Sequence, residues 1–195
     1  MAVREAGPER LGAFSDGVIA VIITIMVLEL KAPHVSGLNA LLCLWPSFLS
    51  YALSYIFVGI VWINHHHLLR YVEWANPAVI GTNLLFLFFV SLIPFFTAYV
   101  AETRLSSFST AAYAGVFLCV TLAYILFERA IWAQLKGPAP QRAVDLGSWR
   151  NWVGLAFYAL AIPAAYLHPA ISLTLIFSVA VVYSTPHWRR PAMRK

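Results

Sequence analysis

Long apolar runs, broken by short clusters of charge, glycine and proline, divide the chain into six segments near Leu11 to Leu30, Leu41 to Ile63, Pro77 to Val100, Phe108 to Leu135, Trp149 to Leu167 and Pro169 to Thr185. None shows the apolar/polar alternation of a half-buried strand, and a span of about 20 apolar residues is the length of helix that crosses a bilayer. Backbone in lipid must satisfy its polar groups internally, which leaves helices or closed barrels, and unbroken runs select helices. The pattern predicts an all-α, polytopic membrane protein with six transmembrane helices. The last two runs are short, at 17 to 19 residues, and only His168 separates them, so a tight hairpin is expected there, with a kink at Pro163 in the fifth helix. Trp45, Trp62, Trp74, Trp132, Trp149, Trp152 and Trp188 all fall near predicted span ends, where amphipathic indoles sit in membrane interfaces.

Composition agrees with the pattern. Of the 195 residues, 61% are hydrophobic and 11% charged, against about 25% charged in soluble domains, and mean hydropathy is +0.76. The net charge of +5 comes from bases at the ends of apolar runs, so it carries topology and not a nucleic-acid surface. With the N-terminus inside, inner segments hold Arg4, Arg10, Arg70, Arg129, Lys136, Arg142, Arg150, Arg189, Arg190, Arg194 and Lys195, against Lys31 and Arg104 outside. Both termini are therefore expected in the cytoplasm of a single domain over residues 1–195. The first run contains Asp16 and no small-x-small cleavage site before Lys31, which reads as a retained helix and not a signal peptide. Cys43 and Cys119 each stand alone in an apolar stretch and are expected to be small packing residues.

An ionisable residue inside a span needs a partner, and the first helix carries Asp16 about one and a half turns beyond Arg10. Helix direction alone places Trp62, Asn64, His65, His66 and His67, at the end of the second helix, at the same depth as Thr82 and Asn83, at the start of the third. A hydrogen-bonded cluster follows, in which Ser15 and Asp16 meet His65 or His66 and Asn83. The plainer alternative is that His and Asn merely sit among headgroups. Three consecutive histidines do not make a metal site, because helical neighbours point about 100° apart and cannot close on one ion. No catalytic triad, nucleotide-binding glycine loop or H-E-x-x-H helix is present, so no enzyme is expected. On the first helix Val21, Thr24, Ile25 and Leu28 share one face at i, i+3, i+4, i+7 spacing. Taken alone, such a face is more often plain helix packing than a pore.

The segment Arg10, three residues, then Phe14, Ser15 and Asp16, continued by Gly17 and Val18, resembles the hallmark of the transmembrane protein 175 family of potassium-selective channels, in its single-repeat prokaryotic form. Trp62-Ile63-Asn64-His65-His66 is similar to its W-x-N-H-H signature. Asn83-Leu84-Leu85 and Ser91-Leu92-Ile93-Pro94-Phe95 resemble its N-L-L and S-L-x-P-F pattern. The resemblance covers roughly residues 10 to 97; beyond them only span count and hydropathy match. It implies a homotetramer with four copies of the first helix around the conduction axis, rings at Val21, Ile25 and Leu28 forming a hydrophobic constriction, and no cofactor beyond permeant potassium. It also implies that Phe14, Ser15 and Asp16 brace the first helix through Trp62, Asn64, His65, His66 and Asn83 and do not contact ions. Thr24 either replaces part of an ion's hydration shell or bonds its own helix carbonyl, and the pore role is favoured. Val21 stands where family members often carry Ile or Leu.

These readings lead to a multi-pass potassium-permeable channel of the cell membrane with modest preference for potassium over sodium. A secondary transporter or proton-coupled carrier using Asp16 and His65 is the alternative, and a non-conducting scaffold the second. The partners expected are the bilayer, monovalent cations and three further copies of the chain.

Overall fold

The computed structural model describes residues 7–135 and 141–184, with side chains in the second segment from 149 to 183. The side chains of Arg4, Lys136, Arg142, Trp188, Arg189, Arg190, Arg194 and Lys195, on which part of the orientation and interface argument rests, lie outside the described residues. So do the loop residues Gly137, Pro138 and Pro140 and the expected end of the last span at Thr185.

The described residues form helices alone: α1 (Pro8–Leu28), α2 (Leu38–Leu42), α3 (Trp45–Leu69), α4 (Pro77–Ser91), α5 (Ile93–Glu102), α6 (Ser107–Trp132), α7 (Gln141–Leu167) and α8 (Pro169–Ser184). Their starts follow local chemistry. Proline opens α1, α3 and α4 in the first turn, where its missing N–H costs nothing. The Asn76 side chain caps α4 by accepting the Val79 N–H at 2.7 Å, and Ser106 caps α6. His168 alone separates α7 from α8, as the hairpin expectation required, and its Nδ1 accepts the Ala170 N–H at 3.2 Å.

Two boundaries depart from the pattern. The third apolar run breaks at Leu92 into α4 and α5, because Pro94 lacks an N–H and its ring crowds the carbonyl one turn back. Pro163, where a kink is expected, lies inside α7, which continues through it as one helix. The second run begins with the short α2, so α3 starts at Trp45 and extends to Leu69, which puts all three histidines inside the helix. Cys43, at the end of α2, is exposed and does not pack in a core.

Among the described residues four helical segments are long and apolar enough to cross a membrane: α1, α3, residues 77–102 and α6. α8, with 16 residues, extends only about 24 Å, short of an average hydrocarbon core of about 30 Å. α6 is the centre of the bundle and packs against α4, α5, α7 and α8. Its Tyr113, Phe117 and Phe127 are fully buried, and Phe57 of α3 meets Phe117 at a ring separation of 4.1 Å. Beside these rings Ser54 of α3 is 2.6 Å from both the Thr97 hydroxyl of α5 and the Tyr113 hydroxyl of α6, so the shortened α5 is tied to both neighbours.

α1 packs at the side of this bundle, on α3, α4 and α5. It buries Leu11, Ser15, Ile19, Ile22 and Met26, whose spacings of three and four residues form one stripe. The opposite face has no cover among the described residues.

Candidate functional site

Both faces of α1 matter, and the buried one explains how the exposed one is held. His65 is fully buried between Phe86 of α4 and Phe127 of α6, each ring stacked at 5.3 Å. Its Nε2 lies 2.8 Å from Asn83 Oδ1, the Asn83 amide donates to Ser15 Oγ at 2.9 Å, and Ser15 donates to the Leu11 carbonyl at 2.9 Å. A carboxamide oxygen only accepts, so Nε2 carries the proton in this arrangement. Every bond then points the same way, from α3 through α4 into α1. All three side chains are buried, so each is worth about 0.5–1.5 kcal/mol as a pair but orphaning one partner costs about 1–3 kcal/mol.

A second link runs nearer the surface. Asp16 Oδ1 accepts the Trp62 indole N–H at 2.7 Å. The sequence reading put Ser15 with Asn83 and His65, and those three meet; it put Asp16 against a histidine, whereas the indole takes that place. Successive side chains turn by about 100° along a helix, so His65 and Trp62, three residues apart, share the face toward α1 and α4, and His66 is turned away from it. The His66 ring instead lies beside Trp62 at 5.7 Å. Asn64 enters through its main chain, where its carbonyl is 3.4 Å from the Tyr124 hydroxyl. Arg10 and Phe14, the other parts of the motif, are on the exposed side of α1, Phe14 at 53% exposure. The aromatic sandwich around His65 had no signal in the pattern, since Phe86 and Phe127 sit in uniformly apolar runs.

The two links differ in expected strength. Trp62→Phe keeps the ring and removes only a bond to a part-exposed carboxylate, so a loss of about 1 kcal/mol is expected, read as a melting temperature about 2–4 °C lower. A drop as large as that from breaking the His65 chain would show that Asp16 is the dominant anchor.

On the other face Val21, Ile25 and Leu28 are 55%, 42% and 76% exposed. Thr24 is exposed between them, and its hydroxyl donates to the Val21 carbonyl at 2.8 Å. In a membrane protein such an uncovered apolar strip meets lipid or another subunit, and this one belongs to a helix whose other side is anchored by buried polar bonds.

Comparison with known proteins decides the family. A model of the endosomal/lysosomal potassium channel TMEM175 matches residues 10–94, which include most of α1, all of α3 and α4 and every site residue named above from Arg10 to Asn83. A potassium channel of Chryseobacterium sp. strain P1-3 is 36% identical over 92% of this chain and 94% of its own length. The chain belongs to the TMEM175 family. A second relative, a potassium channel of Chamaesiphon minutus, is 31% identical over 90% of this chain and 92% of its own. The crystal structure of a lysosomal potassium-selective channel TMEM175 homolog from that organism superposes with a TM-score of 0.80 at 30% identity, covering 90% of this chain and 95% of the other. TMEM175 membership makes this a multi-pass membrane protein of an ion-channel family, in keeping with its apolar helices, and not of an enzyme family.

Proposed function

We propose that the chain is a homotetrameric potassium-permeable channel of the cell membrane, each subunit crossing six times with both termini in the cytoplasm, and α1 lining the axis. The observation that carries this reading is the uncovered strip of Val21, Thr24, Ile25 and Leu28 on a helix fixed by buried bonds along its other face. One subunit offers one such helix, and enclosing a pathway with it takes a closed ring of copies. Membership of a family whose bacterial relatives are named potassium channels supports the same conclusion.

In that ring Val21, Ile25 and Leu28 form three apolar collars over about 10 Å of axis. Collars of this kind exclude hydrated ions by dewetting when tight and pass them when dilated, so gating and selection share one element. Thr24 adds oxygen. Its hydroxyl proton is committed to the Val21 carbonyl, which leaves the lone pairs to accept, the polarity a cation requires when it sheds water. Selectivity from four such hydroxyls, without a carbonyl-lined filter, is modest. Ser15 and Asp16 then serve to seat α1 against its own subunit, while Arg10 and Phe14 stand on its exposed side, with no cofactor involved.

Reversal potentials of purified protein in bilayers, under asymmetric potassium and sodium, test the proposal. A channel gives a voltage-following current reversing toward the potassium potential; a small saturable flux indicates a carrier, and no flux a scaffold. Val21→Ile adds a methylene to each of four facing side chains and is expected to lower single-channel conductance. Unchanged or larger current would remove Val21 from the constriction. Asp16→Ala is expected mainly to reduce the tetramer fraction on size-exclusion with light scattering, and intact tetramers with altered ion preference would move Asp16 into the pathway.

A further inference from the structure

The hallmark segment at the start of α1 divides between two faces. Ser15 and Asp16 are bonded to Asn83 and Trp62 of their own subunit, while Phe14 is 53% exposed and Arg10 is exposed one turn before it. Spacing ties the exposed pair to the strip farther along the helix. Arg10, Phe14, Gly17, Val21, Thr24 and Leu28 succeed one another in alternating steps of four and three residues, the seven-residue repeat that keeps a seam on one side of a helix.

The helical repeat also gives the direction of Phe14. At about 100° per residue it lies between the directions of Val21 and Ile25, about 20° from each, whereas Ser15, within the buried stripe, is about 100° away. α1 is one unbroken helix from Pro8 to Leu28, and the bonds of Ser15 and Asp16 fix its rotation at the level of Phe14 itself. Its two ends therefore face the same way, and a helix that turns Val21 and Ile25 to an axis turns Phe14 to it as well. In depth, Phe14 stands about 10 Å before Val21 at 1.5 Å per residue. Gly17, between them, is exposed, and a Cβ there would meet nothing within 4 Å. The strip thus runs from an aromatic ring, across a bare turn, to the first of the aliphatic collars.

We propose that Phe14 lines the cytoplasmic vestibule of the pathway, its four copies forming an aromatic entrance that cations pass before the Val21 collar, with Gly17 leaving a wider chamber between the two. This assignment rests on the reading of α1 as the pore helix and extends that reading to the inner end of the path. A phenyl ring has no lone pair to stand in for water, so an ion crosses the entrance hydrated, and dehydration begins at Val21. Arg10, one turn nearer the cytoplasm on the same seam, stands at the rim of the entrance.

Thiol accessibility tests the proposal in a background without the native thiols, Cys43→Ser and Cys119→Ser. Phe14→Cys channels in planar bilayers are treated from the cytoplasmic side with a membrane-impermeant methanethiosulfonate that carries a quaternary ammonium group. The reaction needs a thiolate in contact with water, and each adduct leaves a fixed cation beside the path, so potassium current is expected to fall by about half or more. Leu28→Cys, treated from the outer side, is the control for the channel reading, because it stands at the other end of the same strip. If Leu28→Cys loses current and Phe14→Cys keeps it, the proposal is overturned and the channel reading stands. Current kept by both, or no current from the unaltered protein, overturns both. Should Phe14→Cys not assemble, Gly17→Cys decides, since its side chain enters open space. The same loss from the cytoplasmic side is expected there, and an unchanged current overturns the proposal.

Discussion

Ile25→Asn is expected to raise potassium conductance by about tenfold and to weaken the preference over sodium. Ile25 occupies the middle of the proposed three collars and is 42% exposed, outside the buried stripe of α1, so the substitution disturbs the packing of its own subunit less than one at Ile22 or Met26. Four carboxamides in place of four branched alkyl groups keep the collar wetted, which removes much of the cost of dehydrating an ion there. A tenfold change corresponds to about 1.4 kcal/mol of barrier, a small fraction of what four apolar side chains withhold from water. Selection weakens in the same step, because an ion that keeps its water is not distinguished by the energy of losing it. Single-channel recording at asymmetric potassium and sodium reads both quantities. Equal or smaller current from assembled tetramers would mean that Ile25 does not face the pathway, and α1 would lose its assigned role.

Asn83→Ala is expected to have the largest effect on stability. Asn83 is the joint between α3 and α1: its oxygen accepts from His65 and its amide donates to Ser15, all three buried. Alanine leaves the imidazole N–H and the serine oxygen without that partner, in a place water does not reach. With about 1–3 kcal/mol for each orphaned group, the loss is about 3 kcal/mol, or about 6–12 °C in melting temperature for a chain of this size. Asn83→Asp, which keeps an acceptor for His65 but loses the donor to Ser15, is expected to recover part of it. A melting temperature within about 2 °C of the unaltered protein would show that apolar packing alone seats α1.

The contrast between these variants follows from where each residue stands on one helix or its neighbours, and that division was partly legible beforehand. The stripe of Leu11, Ser15, Ile19, Ile22 and Met26 and the opposing strip of Val21, Ile25 and Leu28 are consequences of 3.6 residues per turn. The pairing of Ser15 with Asn83 and His65 followed from helix direction, which puts the start of one span beside the end of the one before. The partner of Asp16 did not follow, because depth alone cannot choose between an indole and an imidazole one turn apart; the rotation of α3 about its axis chooses, and packing of His65 between Phe86 and Phe127 sets that rotation.

The prolines teach the same lesson. Pro94 and Pro163 carry the same local defect in similar apolar surroundings, yet α5 separates from α4 while α7 runs on. What differs is the neighbourhood: Thr97 of α5 meets the Ser54 hydroxyl of α3, which also meets the Tyr113 hydroxyl of α6. Glu128, an acid within the apolar run of Phe108 to Leu135, was a visible signal, but its bond to Asn151 required the relative placement of α6 and α7.

The amino-acid sequence by itself determined that the chain is helical, that its apolar runs suit a membrane, that it carries the motifs of its family and which residues share a face of α1, because hydropathy and the helical repeat are properties of consecutive residues. Only the tertiary structure decided which polar atoms meet, where the third run breaks and which face of α1 is buried. Those outcomes depend on the rotation and depth of each helix against its neighbours, and these are fixed by side chains far apart in the chain coming into contact.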